Sequence, residues 1–326
     1  MKKISIITPS FNQGQFLEQT IDSVLSQNYS NLEYIIIDGS STDNSTEIIK
    51  KHEKHLHYWV SEKDNGQSHA INKGFQKASG EIINWLNSDD YFAPNALNIV
   101  ANHFENEDIL VVGGRSNIWK HEKIITQSKG TDIYSTVEKT IGWARIDQPE
   151  TFFRKSAIDK MGFLNPNLHY VMDREWWIRF LLIFGTNQVK KIDDVLVNFR
   201  IHDNSKTNSS PLFFAQETIN VFYTLSSQYK LEEAYIFRDH FNASIIDGCN
   251  FPSNAQDMLV RKAIHYFLFL QAGINYAQND YNAAKQYLPF IDMHYLSAAD
   301  VRELDKIKQR IKFLPVFIKK IMNKSR

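Results

Sequence analysis

Two adjacent carboxylates, Asp89 and Asp90, stand just beyond the apolar run EIINWL at residues 81–86. If that run is a buried strand, the pair sits at a sheet edge, where two carboxylates raise each other's proton affinity unless a cation lies between them. A hard divalent ion suits such a place, because Mg2+ or Mn2+ commonly binds one or two protein carboxylates and completes its shell with phosphate oxygens. The same dipeptide also reads as the cap of a helix starting near Pro94, or as a surface turn. Asp38 poses a similar choice. The run DGSSTDNS at 38–45 is a good turn followed by capping residues, and equally a set of hydroxyls and free amides able to hold the polar edges of a nucleotide. Asp173 and Glu175 open the segment DREWWIRFLLIF, where the helix dipole alone favours acids in the first turn. His202 ends a strand-like run, where a lone histidine is more often structural than a ligand.

These groups need elements to position them. Over residues 3–114, short runs (ISIIT, EYIIID, HYWV, EIINWL, DILVVGG) alternate with longer stretches of helical spacing, the pattern of stacked βαβ units. The runs are nearly all apolar, as strands covered on both faces are. The expectation is an α/β fold with a Rossmann-like, mostly parallel mixed sheet flanked by helices, whose ligands bind outside the carboxyl ends of the strands. Four polar clusters fall there: residues 8–12, 38–45, 62–67 and 87–90. From about 115 to 170 the periodicity is weak and predicts an irregular region ending in a strand at 151–154. Helical spacing returns at 173–184, a last strand at 195–201 leads to His202, and the polar run 203–211 reads as a linker. Beyond Pro211 the β signal disappears. The expected organisation is an α/β domain over 1–210 and an α-helical domain over 211–326.

The 326 residues suffice for about two domains. Lys plus Arg and Asp plus Glu number 37 each, so no global field attracts nucleic acid. The single cysteine, Cys249, excludes an internal disulfide and fits a reducing, cytoplasmic setting. The N-terminal apolar run stops at Pro9, short of a signal peptide, and the most apolar stretches fall short of a membrane span.

In order and spacing, ITPSFNQ, IIIDGSSTDNS, SEKDNGQSHAINKG and WLNSDD closely resemble the nucleotide-binding half of family 2 glycosyltransferases, which have the GT-A fold. QPETFFRKSA, YVMDREWWIRF and FRIHDNS resemble that family's acceptor-side features, in the same order. The resemblance covers about residues 3–205 and is of the type that builds bacterial polysaccharides or glycolipids. It implies that Thr8, Pro9 and Asp38 grip the nucleobase and ribose, with Asp38 accepting from the base's ring NH. Asp64 and Gly66 add nucleotide contacts, and Lys73 brings a cation near the nucleotide, against the alternative of a solvated helix-face lysine. The tetrad Asn87-Ser88-Asp89-Asp90 matches the family's DXD motif, with Asn87 in place of the first acid; Asn87 and Ser88 fall on the donor side. Asp89 corresponds to the direct metal ligand, Asp90 supplies a second carboxylate, and His202 resembles the histidine that completes the metal site. Asp173 occupies the position of the catalytic base, with Glu175 second, and Met172 replaces the acid often found before it. Trp176, Trp177 and Arg179 read as scaffold, with Trp176 alternatively lining a sugar platform.

The implied activity is an inverting transfer, dependent on Mn2+ or Mg2+, from a nucleotide-sugar, UDP-sugars foremost, to a hydroxyl of a glycan or lipid-linked sugar. One base opposite the leaving group means a single displacement, so an α-linked donor gives a β-linked product. Two rivals stand beside it. A non-catalytic nucleotide-sugar-binding protein is kept open by Asn87 and Met172, and a sugar nucleotidyltransferase is disfavoured by the missing glycine-rich phosphate loop.

The last 25 residues carry nine basic and two acidic side chains, with Leu304, Ile307, Ile311, Leu314, Phe317, Ile318 and Ile321 at helical spacing. Such a basic amphipathic helix either lies on an anionic membrane, which would place the protein on its inner face, or packs within the helical domain, where it could also serve a dimer.

Overall fold

The computed structural model describes residues 1–202 and 210–313. The first half runs β1 (Ile4–Ser10), α1 (Gly14–Leu25), β2 (Leu32–Asp38), α2 (Ser45–His52), β3 (Tyr58–Ser61), α3 (Gln67–Lys77), β4 (Ile82–Trp85), β5 (Tyr91–Phe92), α4 (Ala96–His103) and β6 (Val111–Lys120). It continues through β7 (Lys123–Gln127), α5 (Val137–Trp143), β8 (Thr151–Arg154), α6 (Lys155–Met161), α7 (Met172–Phe184) and β9 (Val189–Ile201). Five helices follow: α8 (Pro211–Gln228), α9 (Ala234–His240), α10 (Asp257–Ala277), α11 (Tyr281–Tyr287) and α12 (Ala298–Phe313).

The strands form one sheet in the order β3-β2-β1-β4-β8-β6-β9-β5, with β7 on β6. Parallel pairing holds for β3-β2-β1-β4 and for β6 with β9; β8, β5 and β7 pair antiparallel with their neighbours. The sheet is therefore mixed, with its parallel half built from the four apolar runs that open the chain. β1 shows why those runs are apolar. Ile4 and Ile6 pack with Leu17, Ile21 and Val24 of α1, whereas Ile7 meets the opposite layer, where a Cβ on Gly74 of α3 would come within 2.3 Å of it. A strand packed on both faces leaves no polar alternation to read.

The region expected to be irregular from 115 to 170 contains more structure than its periodicity suggested. β6 and β7 form a hairpin through His121 and Glu122, both at positive φ, and α5 and α6 follow. β7 is exposed along its whole length, so no buried face imposes a period. The two-residue loop takes the backbone of a type I′ turn without the Asn or Gly that usually signals one. The last strand also begins at Val189, six residues before the expected start, because β9 pairs along β6 with a register shift in between.

Two compact units result. One comprises Met1–Asp132, Arg145–Thr218 and Ile246–Asn250, and contains the whole sheet. The other comprises Ile133–Ala144, Ile219–Ile245 and the chain from Phe251, and its described residues form only helices and turns. In this second unit α5 lies so close to α10 that a Cβ on Gly142 would sit 2.6 Å from Tyr266 Cβ and 2.8 Å from the Phe267 backbone nitrogen. Leu304, Ile307 and Ile311 of α12 are buried, the latter two among Tyr276, Tyr281 and Ala284. The described part of the C-terminal apolar stripe is thus spent on packing; Leu314, Phe317, Ile318 and Ile321 lie outside the described residues, as do residues 203–209 of the expected linker, whose last residue, Pro211, instead opens α8. Among the described residues no helix is long and apolar enough to cross a membrane.

Candidate active site

Register places the polar clusters. Pairing of Ser10 with Asp38 and of Ile7 with Trp85 brings the carboxyl ends of β1, β2 and β4 to one edge, where a cavity of about 970 Å³ opens. Every residue lining it belongs to the sheet-containing unit.

Residues 87–90 form a turn closed by Asp90 N donating to the Asn87 carbonyl, 3.1 Å. Two helices hold it. Thr20 Oγ1 of α1 lies 2.9 and 2.6 Å from the carbonyls of Ser88 and Asp90, and Gln67 Nε2 of α3 donates to Asn87 Oδ1 at 2.9 Å. An amide at position 87 thus accepts from a neutral donor where an acid would bring a third charge. Antiparallel pairing of β5 with β9 returns the chain so that His202 Nε2 stands 3.0 Å from Asp89 Oδ2, its ring tilted on Phe16. Arg200 N donates to Asp90 Oδ1, while Asp90 Oδ2 is buried with no hydrogen-bond partner among the described residues. Burial, and then the neighbouring Asp89, push the Asp90 carboxyl well above the carboxylate range. Among the described residues no three His, Cys, Asp or Glu side chains converge as a ready-made metal cluster. A carboxylate, an imidazole and an orphaned carboxylate oxygen beside a large cavity nevertheless fit a hard divalent cation that takes further ligands from a phosphate.

At the β1–β2 end, Pro9, Phe11, Gly39, Asp64 and Gly66 line the cavity. Asp64 Oδ1 accepts from Gly66 N at 2.8 Å, and Gly66, at φ 104°, starts α3 in a conformation that favours glycine. A Cβ on Gly39 would stand 2.8 Å from Asp64 Oδ2 and 3.3 Å from the Phe11 ring, which shows how closely these groups gather. Other expected residues lie behind the wall. Thr8 is buried, its hydroxyl 3.1 Å from the Tyr34 hydroxyl. Asp38 is buried and accepts from Ser41 N, Ser41 Oγ and Ser61 Oγ, so its carboxylate organises its own loop. Lys73 turns to Glu62 at 2.7 Å, while Lys63 lines the cavity.

Another stretch of the cavity wall is built around the start of α7. Asp173, half-buried in the first turn, lines the cavity and accepts from Arg174 N at 2.8 Å. Burial raises its pKa above the ordinary value; Arg174 opposes and Asp147 adds to that rise. Glu217 of α8 fixes the approach to this turn, its carboxylate accepting from the backbone N–H groups of His169, Tyr170 and Val171 at 2.9, 2.6 and 2.8 Å. On α3, Asn72 exchanges two hydrogen bonds with Leu164, tying that helix to the segment ahead of α7. Glu175 points away from the cavity: it is buried and pairs with Arg179 at 2.8 Å. Trp176 is buried against Phe75, Phe153 and Trp85, so it belongs to the core.

Several cavity residues carried no recognisable signal in sequence. Arg200 lies over the rings of Phe16 and Tyr91 and bonds Gln19 at 2.7 Å. Arg145 bridges Asp132 and Asp147. Glu150 is buried, accepts from Ser128 Oγ at 2.8 Å, and burial lifts its pKa to about 8.

The chain resembles several known proteins. An uncharacterized glycosyltransferase of Rickettsia typhi is 27% identical over 215 residues, covering 64% of this chain and 66% of its own length. The chain thus spans about two thirds of that relative. Staphylococcus aureus TarS 1–349, solved in complex with UDP-GlcNAc, superposes with a TM-score of 0.64 at 15% identity over 98% of this chain and 89% of its own. The mannosyltransferase PcManGT of Pyrobaculum calidifontis, solved with GDP-Man and Mn2+, gives 0.59 at 14% identity over 99% and 84%. The fold is GT-A, followed by a helical C-terminal region. The family model described as glycosyl transferase family 2 matches residues 5–182, more than half of the sequence, and the chain belongs to that family.

Proposed function

We propose that the protein is an inverting, divalent-metal-dependent glycosyltransferase that moves a sugar from a nucleotide-sugar to a hydroxyl of a glycan or lipid-linked acceptor. One observation carries this reading: Asp173 and the Asp89–His202 pair line or border a single cavity, so a base and a phosphate-binding centre face one space. The UDP-GlcNAc and GDP-Man complexes of the two structural neighbours support a nucleotide-sugar donor.

Asp89 and His202 would hold the Mn2+ or Mg2+, with Asp90 behind them, and the ion would neutralise charge on the departing diphosphate. Pro9, Gly39 and Asp64 bound the nucleoside end, with Phe11 exposed for stacking on the base. Lys63 and Arg200 also line the cavity and bring positive charge to it. Asp173 accepts the acceptor hydroxyl's proton as the new bond forms. Its raised pKa makes it a better proton acceptor than an exposed aspartate, at the expense of the fraction ionised at low pH.

Thermal unfolding with UDP, GDP, TDP or CMP, each with Mn2+, Mg2+ or chelator, tests the donor site, since a ligand at 100 times its Kd adds about 2.7 kcal/mol. A metal-dependent rise with one nucleotide is expected; no rise under any condition would put the non-catalytic reading ahead. Inversion is read from the anomeric configuration of the product by NMR, and retention would remove Asp173 from this role.

A further inference from the structure

The cavity wall beside Asp173 ends in aromatic rings that the donor site leaves unused. Tyr170 and Phe214 both line it, with ring centroids 5.3 Å apart at 64°. Phe213 stacks on Tyr170 from the outer side, 5.4 Å away at 9°, and remains 62% exposed. The platform is also firmly placed. Glu217 accepts from the N–H of Tyr170 and from those of its neighbours His169 and Val171, and it lies one helical turn on from Phe213 and Phe214, so both sides of the platform are fixed by α8.

We infer that Tyr170 and Phe214 form the stacking platform for the sugar ring of the acceptor, with the Arg145–Asp147 ion pair as its polar rim. The inference rests on the transferase reading and adds a subsite to it. Three features point to a sugar rather than a lipid chain or a nucleobase. A pyranose presents an apolar C–H face ringed by hydroxyls, and here two aromatic side chains line one cavity with a guanidinium and a carboxylate. Tyr170 stands three residues before Asp173, and the charge of Asp147 is felt at Asp173, so platform, rim and base share one neighbourhood. The nucleoside end, marked by Phe11, Gly39 and Asp64, is formed instead by the β1–β2 edge.

The test uses the full chain loaded with Mg2+ and whichever nucleotide diphosphate raises its melting temperature. Saturation-transfer NMR is recorded with methyl β-glucoside, methyl β-galactoside, methyl α-mannoside, methyl N-acetyl-β-glucosaminide and octyl β-glucoside as probes. At least one methyl glycoside should receive saturation mainly on the C–H protons of one ring face. Phe214→Leu and Tyr170→Leu should each weaken that binding about ten-fold, Phe214→Tyr should retain it, and the nucleotide-induced melting shift should persist in all three. Binding unchanged in both leucine variants, or no methyl glycoside bound by nucleotide-loaded protein, overturns the platform. Saturation confined to the alkyl chain of octyl glucoside overturns it in favour of a lipid. If no nucleotide shifts the melt of the unsubstituted protein, the donor reading falls first and the inference with it.

Discussion

Glu150 offers a perturbation whose size follows from its surroundings. Its side chain is buried beside Asp147, accepts from Ser128 Oγ, and has its pKa lifted by burial to about 8 from an ordinary 4.5. The native protein therefore keeps this carboxyl protonated at neutral pH while the unfolded chain has lost the proton. Between the two pKa values the native state binds one more proton, so its stability falls as pH rises, by about 1.4 kcal/mol per pH unit. Glu150→Gln mimics the protonated acid and titrates nowhere, so it escapes this loss. The variant should match the unsubstituted protein near pH 4 and exceed it by about 3 kcal/mol at pH 7, with a limit of about 5 kcal/mol above pH 8. Urea unfolding of nucleotide-free protein in chelator, followed by tryptophan fluorescence across that range, measures the difference. A pH-independent difference, or an unsubstituted protein that gains on the variant as pH rises, would mean that Glu150 is not held protonated in the native state.

Other positions give sharper local outcomes. Glu175→Ala leaves Arg179 buried without its carboxylate and should lower unfolding stability by about 3–5 kcal/mol in the same assay. Gly142→Ala drives a methyl group into the α10 backbone, which cannot yield as a side chain would, and should destabilise by about 1–3 kcal/mol or more as read by calorimetry. Phe11→Ala removes an exposed ring from the nucleoside end and should weaken nucleotide binding about ten-fold by titration calorimetry.

The legible part of the fold is the part whose residues answer to a single local constraint. β1, β2 and β4 are apolar on both faces because helices cover both, and their polar ends are visible because nothing apolar follows. The β6–β7 hairpin hides because β7 is wholly exposed and its turn uses His121 and Glu122 at positive φ. At the site, Asp89, Asp64 and Asp173 could be located as acids at the ends of elements, and each does line the cavity. Direction was harder to read. Asp38 faces its own loop because Ser41 and Ser61 supply donors there, and Glu175 faces the core because Arg179 lies one helical turn away, a spacing that is itself the signal for that pair. Glu217 and the platform of Tyr170 and Phe214 join residues far apart in the chain, and no local pattern encodes such a meeting.

The most direct test of the account is Asp173→Asn, which keeps the shape of the side chain and removes its ability to take a proton. Sugar transfer should be lost while the metal-dependent melting shift with nucleotide stays as in the unsubstituted protein. Transfer that survives in Asp173→Asn would contradict the assignment of the base and, with it, the mechanism.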